Sequence, residues 1–379
     1  MSVTNQWIPA LQAYSPGIEA IETVNIVTSN FEADQGMAGG AAVNVQVKSG
    51  TNSLRGSAFE YFEHANLRSR NYFLPATSEK PKGTKNIYGG TIGGPIKRDR
   101  LFYFVSLETT DSRAVGGPFI GSSALLLSLP PTQFRTGNFA SIGTVIYDPL
   151  TGSANGTGRT PFAFANCPGV SSVSDPRFAA CNYIPANRLS PVAQRLLAYL
   201  PAPQAAGNVN NYVSAPPFTS LFYKLDSKVT WTPTSRLNVN ARISGLHDDM
   251  NSAGLYGDDN PLILGTDLNA KILSYSLAAT MTLTPNLVMD VVGGATTPHT
   301  YQQPNGDKQC WADLMGIPNA CQARDWALPQ MEITGFTSRG GTSGGTQPLG
   351  NNGFSSSVLD YNDGQYQVVA NLGWTRGNH

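Results

Sequence analysis

The strongest constraint on this chain is a repeated two-residue alternation. In residues 221–232, Leu221, Tyr223, Leu225, Val229 and Trp231 fall on one face, and Lys224, Asp226, Lys228, Thr230 and Thr232 on the other. Residues 237–244 repeat it, with Leu237, Val239, Ala241 and Ile243 against Asn238, Asn240, Arg242 and Ser244. Residues 101–108, 273–283 and 366–375 follow the same rule, and 56–63, 86–95 and 287–295 are weaker versions. A period of two places alternate side chains on opposite faces of a strand, a pattern no helix can satisfy. The fold class expected is therefore all-β and antiparallel. Several runs reach the roughly 9–11 residues that a membrane-spanning strand needs.

One apolar and one small-polar face suits a transmembrane barrel, and a soluble sandwich gives similar alternation. The connections separate the two. Residues 97–100, 233–236 and 284–286 are tight turns, whereas 68–85, 111–219, 247–270 and 298–365 are long. Short turns at one end and long loops at the other is the outer-membrane pattern, and a sandwich has no reason for it. Phe102, Tyr103, Trp231 and Trp374 lie at the short-turn ends, and Tyr61, Phe62, Tyr223 and Tyr366 towards the long-loop ends, as two interfacial girdles require. Inside the longest loop, 190–200 reads as a short helix capped by Ser190, with Pro191 in its first turn and Val192, Leu196, Leu197 and Leu200 as a stripe.

Charge excludes other classes. Lys+Arg and Asp+Glu are both 25, which gives no basic surplus for nucleic acid. Charged residues are 13% of the 379, against about 25% in an average soluble domain. No run of 18 apolar residues exists for a spanning helix, and the first 17 residues lack the pattern of a signal peptide. The chain is thus either cytosolic or lacks its true N-terminus, and the second is expected. The cysteines fall as Cys167 with Cys181 and Cys310 with Cys321, in loop-like stretches without zinc spacing, so two local disulfides are expected, with free thiols as the alternative. No GxSxG, HExxH or phosphate-loop motif occurs, so neither enzyme chemistry nor a cofactor is expected. Asp248, Asp249, Asp258 and Asp259 form a weak candidate for Ca²⁺, without EF-hand spacing; a solvated acidic loop is the simpler reading.

Residues 39–70 join two units. GGAAVNVQV alternates, SGTN breaks it, and GSAFEYFE starts a second run. Together with EAIETVNIVTSNF, NLRSRNYF, NIYGGTIGGPIKRDRLFYF, IPANRLSPVAQRLLAYLPAP and LGWTRGNH, these stretches resemble TonB-dependent outer-membrane transporters, and more narrowly the Oar-like group. The resemblance implies that 1–52 is the C-terminal part of a small α/β plug domain. It makes 53–379 the first part, about eight strands, of a 22-stranded barrel. It also implies a missing upstream carboxypeptidase-regulatory-like domain and TonB box, so an internal fragment is expected. Where the group has a Glu-Tyr-Gly-Arg-like run, this chain has Asp34, Gln35, Gly36 and Met37, which puts contacts through the Tyr and Arg in doubt.

On this reading Asn44, Gln46 and Lys48 line the plug–barrel interface, with static packing favoured over gating. Lys224, Asp226, Lys228, Asn238, Asn240 and Arg242 face the lumen, where they contact plug or solute or pair with one another. The expected partners are outer-membrane lipid, the TonB complex through the absent segment, and an unidentified large solute of the oligosaccharide, siderophore or peptide class. The competing readings are an outer-membrane binding or adhesion barrel without active transport, and a soluble secreted β-protein.

Overall fold

A computed structural model describes residues 14–28, 41–69, 80, 82–115, 125–257, 260–262, 264–305, 309–321, 327–331 and 358–376. Two antiparallel strands, β1 (Ile21–Thr28) and β2 (Ala41–Val47), form a small sheet, with Val24 opposite Val45. Next come β3 (Arg55–His64), β4 (Gly83–Lys97) and β5 (Leu101–Val115). The short strands β6 (Leu125–Leu127) and β7 (Tyr212–Ser214) pair with each other. The chain continues through β8 (Pro217–Thr234), β9 (Leu237–Ser252), β10 (Thr266–Thr284), β11 (Leu287–Pro304), β12 (Leu359–Asn362) and β13 (Gln365–Trp374). Among the described residues, β3, β4, β5 and β8–β13 make one nine-stranded sheet in which every pairing is antiparallel. β12 and β13 both pair with β11, so the eighth expected strand is one edge interrupted at Asp363-Gly364.

The strands outrun the apolar alternation. The span expected at 237–244 continues to Ser252, that at 273–283 begins at Thr266, and that at 287–295 continues to Pro304. The ends of the loops expected at 111–219, 247–270 and 298–365 are strand, through Val115 and from Pro217, through Ser252 and from Thr266, and through Pro304 and over Leu359–Asn362. The reason is that the backbone ladder persists where the outer side chains turn polar. Leu273 faces Gly245 across the ladder and, two residues on, Lys271 faces His247. The apolar alternation changes phase there, with Ile272, Ala270 and Leu268 turned inward, but the hydrogen-bond ladder runs on unbroken.

We call inner the face against which the small sheet packs. Paired residues share a face, so the register assigns Phe104, Ser106, Glu108, Lys224, Asp226, Lys228, Asn240, Arg242 and Ser244 to it. The outer face carries Leu107, Trp231, Ile243, Leu273, Leu277, Leu372 and Trp374, each 46–65% exposed. So much contiguous exposed apolar surface is rare on a soluble monomer and requires a non-aqueous neighbour. Phe102 and Tyr61 face inward, so they leave the expected girdles, whereas Trp231, Trp374, Tyr103, Tyr223, Phe62 and Tyr366 point outward.

The long connections fold together. Their helices are α1 (Thr132–Arg135), α2 (Phe162–Asn166), α3 (Phe178–Cys181), α4 (Pro191–Ala198) and α5 (Trp311–Met315). Ser190 caps α4 by accepting from the Ala193 amide at 3.4 Å. Leu129 and Leu200 from one loop, Leu262 and Leu264 from the next, and Trp311, Met315 and Leu328 from the third share one buried cluster, joined by Leu196 and Leu197 of α4. Arg195 donates to the Met315 carbonyl at 3.2 Å, beside Gly316, whose φ of 77° suits glycine. The Cys310–Cys321 disulfide brackets α5, and Cys167–Cys181 borders a satellite core of Ala163, Val170 and Phe178.

Trp311→Ala should remove about 3–5 kcal/mol from this cap. The expected outcome is faster protease cleavage in all three loops, with the heat-modifiable gel shift of the sheet retained. A second expectation concerns acid. Arg188 donates to Asp148 at 2.5 and 3.0 Å and, with the Leu150 amide, holds that carboxyl below its usual range. A depressed folded-state pKa contributes stability present above the unfolded value of about 3.9 and lost as pH falls through the folded value. Amide exchange at Asp148, bonded to the Thr160 carbonyl, should therefore accelerate below about pH 4, and Arg188→Ala should abolish that acid step.

Candidate functional site: the interface of the two sheets

The small sheet is held against the large one through two buried carboxylates. Asp226 of β8 is 1% exposed. Its Oδ2 accepts from the Tyr14 hydroxyl at 2.7 Å and the Gly17 amide at 3.3 Å. Its Oδ1 accepts from Arg242 Nη2 at 2.8 Å and Ser244 Oγ at 2.9 Å. A carboxylate offers about four acceptor sites, so Asp226 is saturated. Two of its donors come from the N-terminal segment and two from the neighbouring strand β9. Glu108 of β5, 3% exposed, repeats the arrangement: Oε2 accepts from the Ile18 amide at 2.7 Å and Oε1 from Lys224 Nζ at 3.1 Å. Each carboxylate thus has one cation from the large sheet and at least one amide from the 14–18 segment.

Further contacts complete the seam. Lys228 Nζ donates to the Val47 carbonyl at 3.1 Å, and Tyr61 of β3 donates to Glu19 at 2.9 Å. The Arg242 guanidinium lies 5.5 Å from the Tyr14 ring centroid. Ala20, Val47 and Phe104 form the apolar centre. Just after β2, Gly50 is pressed so close that a Cβ would sit 2.2 Å from the Tyr103 carbonyl oxygen, which excludes any side chain there. A cavity of about 210 Å³ remains beside the seam, lined by Gln46, Val47, Lys228, Asn240, Arg242 and Ser276 among others.

The sequence-expected residues distribute unevenly. Lys224, Asp226, Lys228, Asn238, Asn240 and Arg242 all lie on the inner face. Lys224, Asp226, Lys228 and Arg242 join the seam, whereas Asn238 and Asn240 bond each other at 2.7 Å and to Thr232 and Thr230. Of the small-sheet candidates, Gln46 accepts from Thr23 at 3.1 Å and lines the cavity. Lys48 pairs with Glu19 at 3.5 Å, within its own unit. Asn44 is exposed. Val43 is 59% exposed and Val47 only 4%, so the alternating apolar face of β2 is buried at one end alone. Tyr14, Gly17, Ile18, Val47 and Glu108 were not legible as interface residues. Two of them act through backbone amides, which no residue identity reveals. Glu108, a charge ending an apolar run, and Val47, on the alternating apolar face of β2, carried a sequence signal.

Of the acidic candidates, Asp248 and Asp249 do not converge. Asp248 and Asp249 are consecutive in β9 and point to opposite faces, Asp248 buried near Ser220 and Asp249 bonded to His247 at 2.8 Å. Asp258 and Asp259 lie outside the described residues. Among the described residues, Cys310, Asp313 and Cys321 bring ligand atoms within 4.8 Å of one another, but both sulfurs are spent in the disulfide.

Asp226→Ala should strand Arg242 and two donors of the 14–18 segment, a loss of about 3–5 kcal/mol for a broken buried pair. The expected outcome is rapid amide exchange at Gly17 and Ile18 with β8–β9 exchange little changed; exchange unaltered at Gly17 would show that Asp226 does not hold the segment.

The comparisons agree with this geometry. A stretch of 115 residues is 27% identical to the TonB-dependent transporter Oar of Myxococcus xanthus, covering 29% of this chain and 11% of that protein. The chain therefore spans only a small part of that relative's length. The family model of the outer membrane beta barrel domain matches residues 46–379. An antiparallel sheet with an apolar outer face, a polar inner face and a match over nearly its whole length identifies this chain as a member of the outer membrane beta barrel domain family, resident in the bacterial outer membrane.

Proposed function

We propose that this chain is the plug end and first barrel strands of a TonB-dependent transporter of the Oar-like group. It admits a large solute across the outer membrane and has no catalytic chemistry of its own. Residues 1–52 are then plug and 53–379 barrel. The observation that carries the reading is the polar seam. A unit fixed permanently in a barrel is held most simply by apolar packing, whereas here the 14–18 segment hangs on hydrogen bonds to Asp226 and Glu108. Such bonds contribute only about 0.5–1.5 kcal/mol each, or about 1.5–3 to a charged group, because water replaces them when the segment moves. A seam of this kind is strong while closed and cheap to rewet when pulled. The similarity to the Myxococcus xanthus transporter supports the same reading. Energy then enters through the inner-membrane TonB complex, acting upstream of the plug strands.

The second reading, a binding or adhesion barrel, draws on the cap that the three long loops build over one core. A protonophore separates the two. With the whole gene expressed, active transport predicts that labelled periplasmic solute falls to background on uncoupling while surface binding persists. Accumulation indifferent to uncoupling would favour the binding protein. The solutes to screen are oligosaccharides, siderophores and peptides.

A further inference from the structure

The outer face changes chemistry along a single line. In register across β5, β8, β9 and β10, the row Leu107, Leu225, Gly245 and Leu273 is the last apolar one. One step towards the long-loop ends, the row is Thr109, Tyr223, His247, Lys271 and His299. The row beyond holds Asp111, Leu221, Asp249, Asn269 and Tyr301, and the last Arg113, Thr219, Asn251, Asp267 and Gln303. These polar rows are paired strand, not loop, and they lie on the face continuous with the lipid-facing band. They also line a groove of about 590 Å³, with Asp111, Leu221, Asp249, Asp267, Asn269 and Tyr301 among its residues.

We propose that this groove seats the saccharide headgroup of an outer-leaflet glycolipid whose acyl chains lie on the apolar band below it. Position commits the occupant to a lipid. Rows on one face repeat about every 7 Å along a strand, so the groove begins within one or two steps of the last lipid-facing residue, at headgroup depth. Its chemistry selects the sugar. Asp249 accepts from His247 and Asn269, and Asp267 accepts from Asn251 at 2.6 Å. Among the described residues, each carboxylate keeps acceptor sites open for hydroxyl donors. Asn269, Asn251 and Gln303 offer carboxamides, and Leu221 and Tyr301, three strands apart in one row, each offer an apolar surface to a ring face. Asp111, Asp249 and Asp267 outnumber Arg113 along the groove, and Arg113 is engaged by Asp111 at 3.3 Å, so hydroxyls are favoured over phosphates.

The test uses the full-length protein in phosphatidylglycerol nanodiscs containing either rough lipopolysaccharide with its core sugars or lipid A alone. Native mass spectrometry reads retained glycolipid, and the temperature of the heat-modifiable gel shift reads stabilisation. Core-bearing lipopolysaccharide should be retained and raise that temperature, and lipid A should do neither. Asn269→Ala with Gln303→Ala should lower retention about ten-fold, the loss expected for two hydrogen-bonding side chains, while Val173→Ala, at an exposed position of the longest loop away from the groove, changes nothing. If the double variant loses its gel shift, Tyr301→Phe is read in its place, with a smaller loss expected. Retention equal in wild type and the folded variant, equal retention of lipid A, or free core oligosaccharide that displaces lipopolysaccharide at equal concentration would each overturn the proposal.

Discussion

Backbone hydrogen bonding is the constraint on which this structure depends. A strand entering lipid must pair its N–H and C=O groups within the protein, because hydrocarbon offers no partners. The antiparallel ladder meets that demand over long strands, from 10 residues in β3 to 19 in β10. Once the ladder is fixed, the two-residue period decides everything lateral to it. One set of side chains meets lipid and the other meets the interior, and a one-residue slip would exchange them. The unbroken register between β10 and β11, which holds from Thr266 opposite Pro304 to Thr282 opposite Val288, is therefore what makes the inner face inner.

The inner face uses that certainty to hold a second unit. Asp226 and Glu108 sit on adjacent strands with their donors already committed, so each arriving amide from the 14–18 segment meets a charge that is oriented beforehand. Burying these ions costs desolvation, which their barrel cations offset only when the geometry is complete. Affinity of the small sheet for the large one is thus concentrated in a few polar contacts around a small apolar centre of Ala20, Val47 and Phe104. The cap on the long-loop side is built by the opposite means. Leucines, Trp311 and Met315 from three loops bury one another, and each disulfide closes a short segment: 14 residues separate Cys167 from Cys181 and 11 separate Cys310 from Cys321. One boundary of the sheet is polar and hydrogen-bonded, the other apolar and tied by disulfides.

The outer face records the depth at which the protein sits. Its side chains turn polar at one row on β5, β9 and β10, at Thr109, His247 and Lys271, although those strands begin and end at different residues, and β8 carries Tyr223 and Leu221 beyond it. Alternation in any one strand shows only where its apolar residues stop. That several stop on a common row follows from the register, and only then does the edge of the band become a line across the sheet.

The sequence by itself determined the all-β class, the antiparallel order, the inward side of Lys224, Asp226, Lys228 and Arg242, and the capped helix that became α4. Each of these follows from local chemistry: a period, a tight turn, an N-cap. The full length of the strands was not legible, because beyond Leu273 the outer side chains turn polar (Lys271, Asn269, Asp267) while Ile272, Ala270 and Leu268 face inward, so the alternation changes phase while the ladder continues. Nor was it legible that Tyr14, Gly17 and Ile18 meet Asp226 and Glu108, since those contacts join residues 90 to 212 positions apart and partly use backbone amides. Only tertiary structure decided them. It brings remote segments to one carboxylate, and it places Asp248 and Asp249, neighbours in the chain, on opposite sides of a sheet, because successive residues of a strand must diverge.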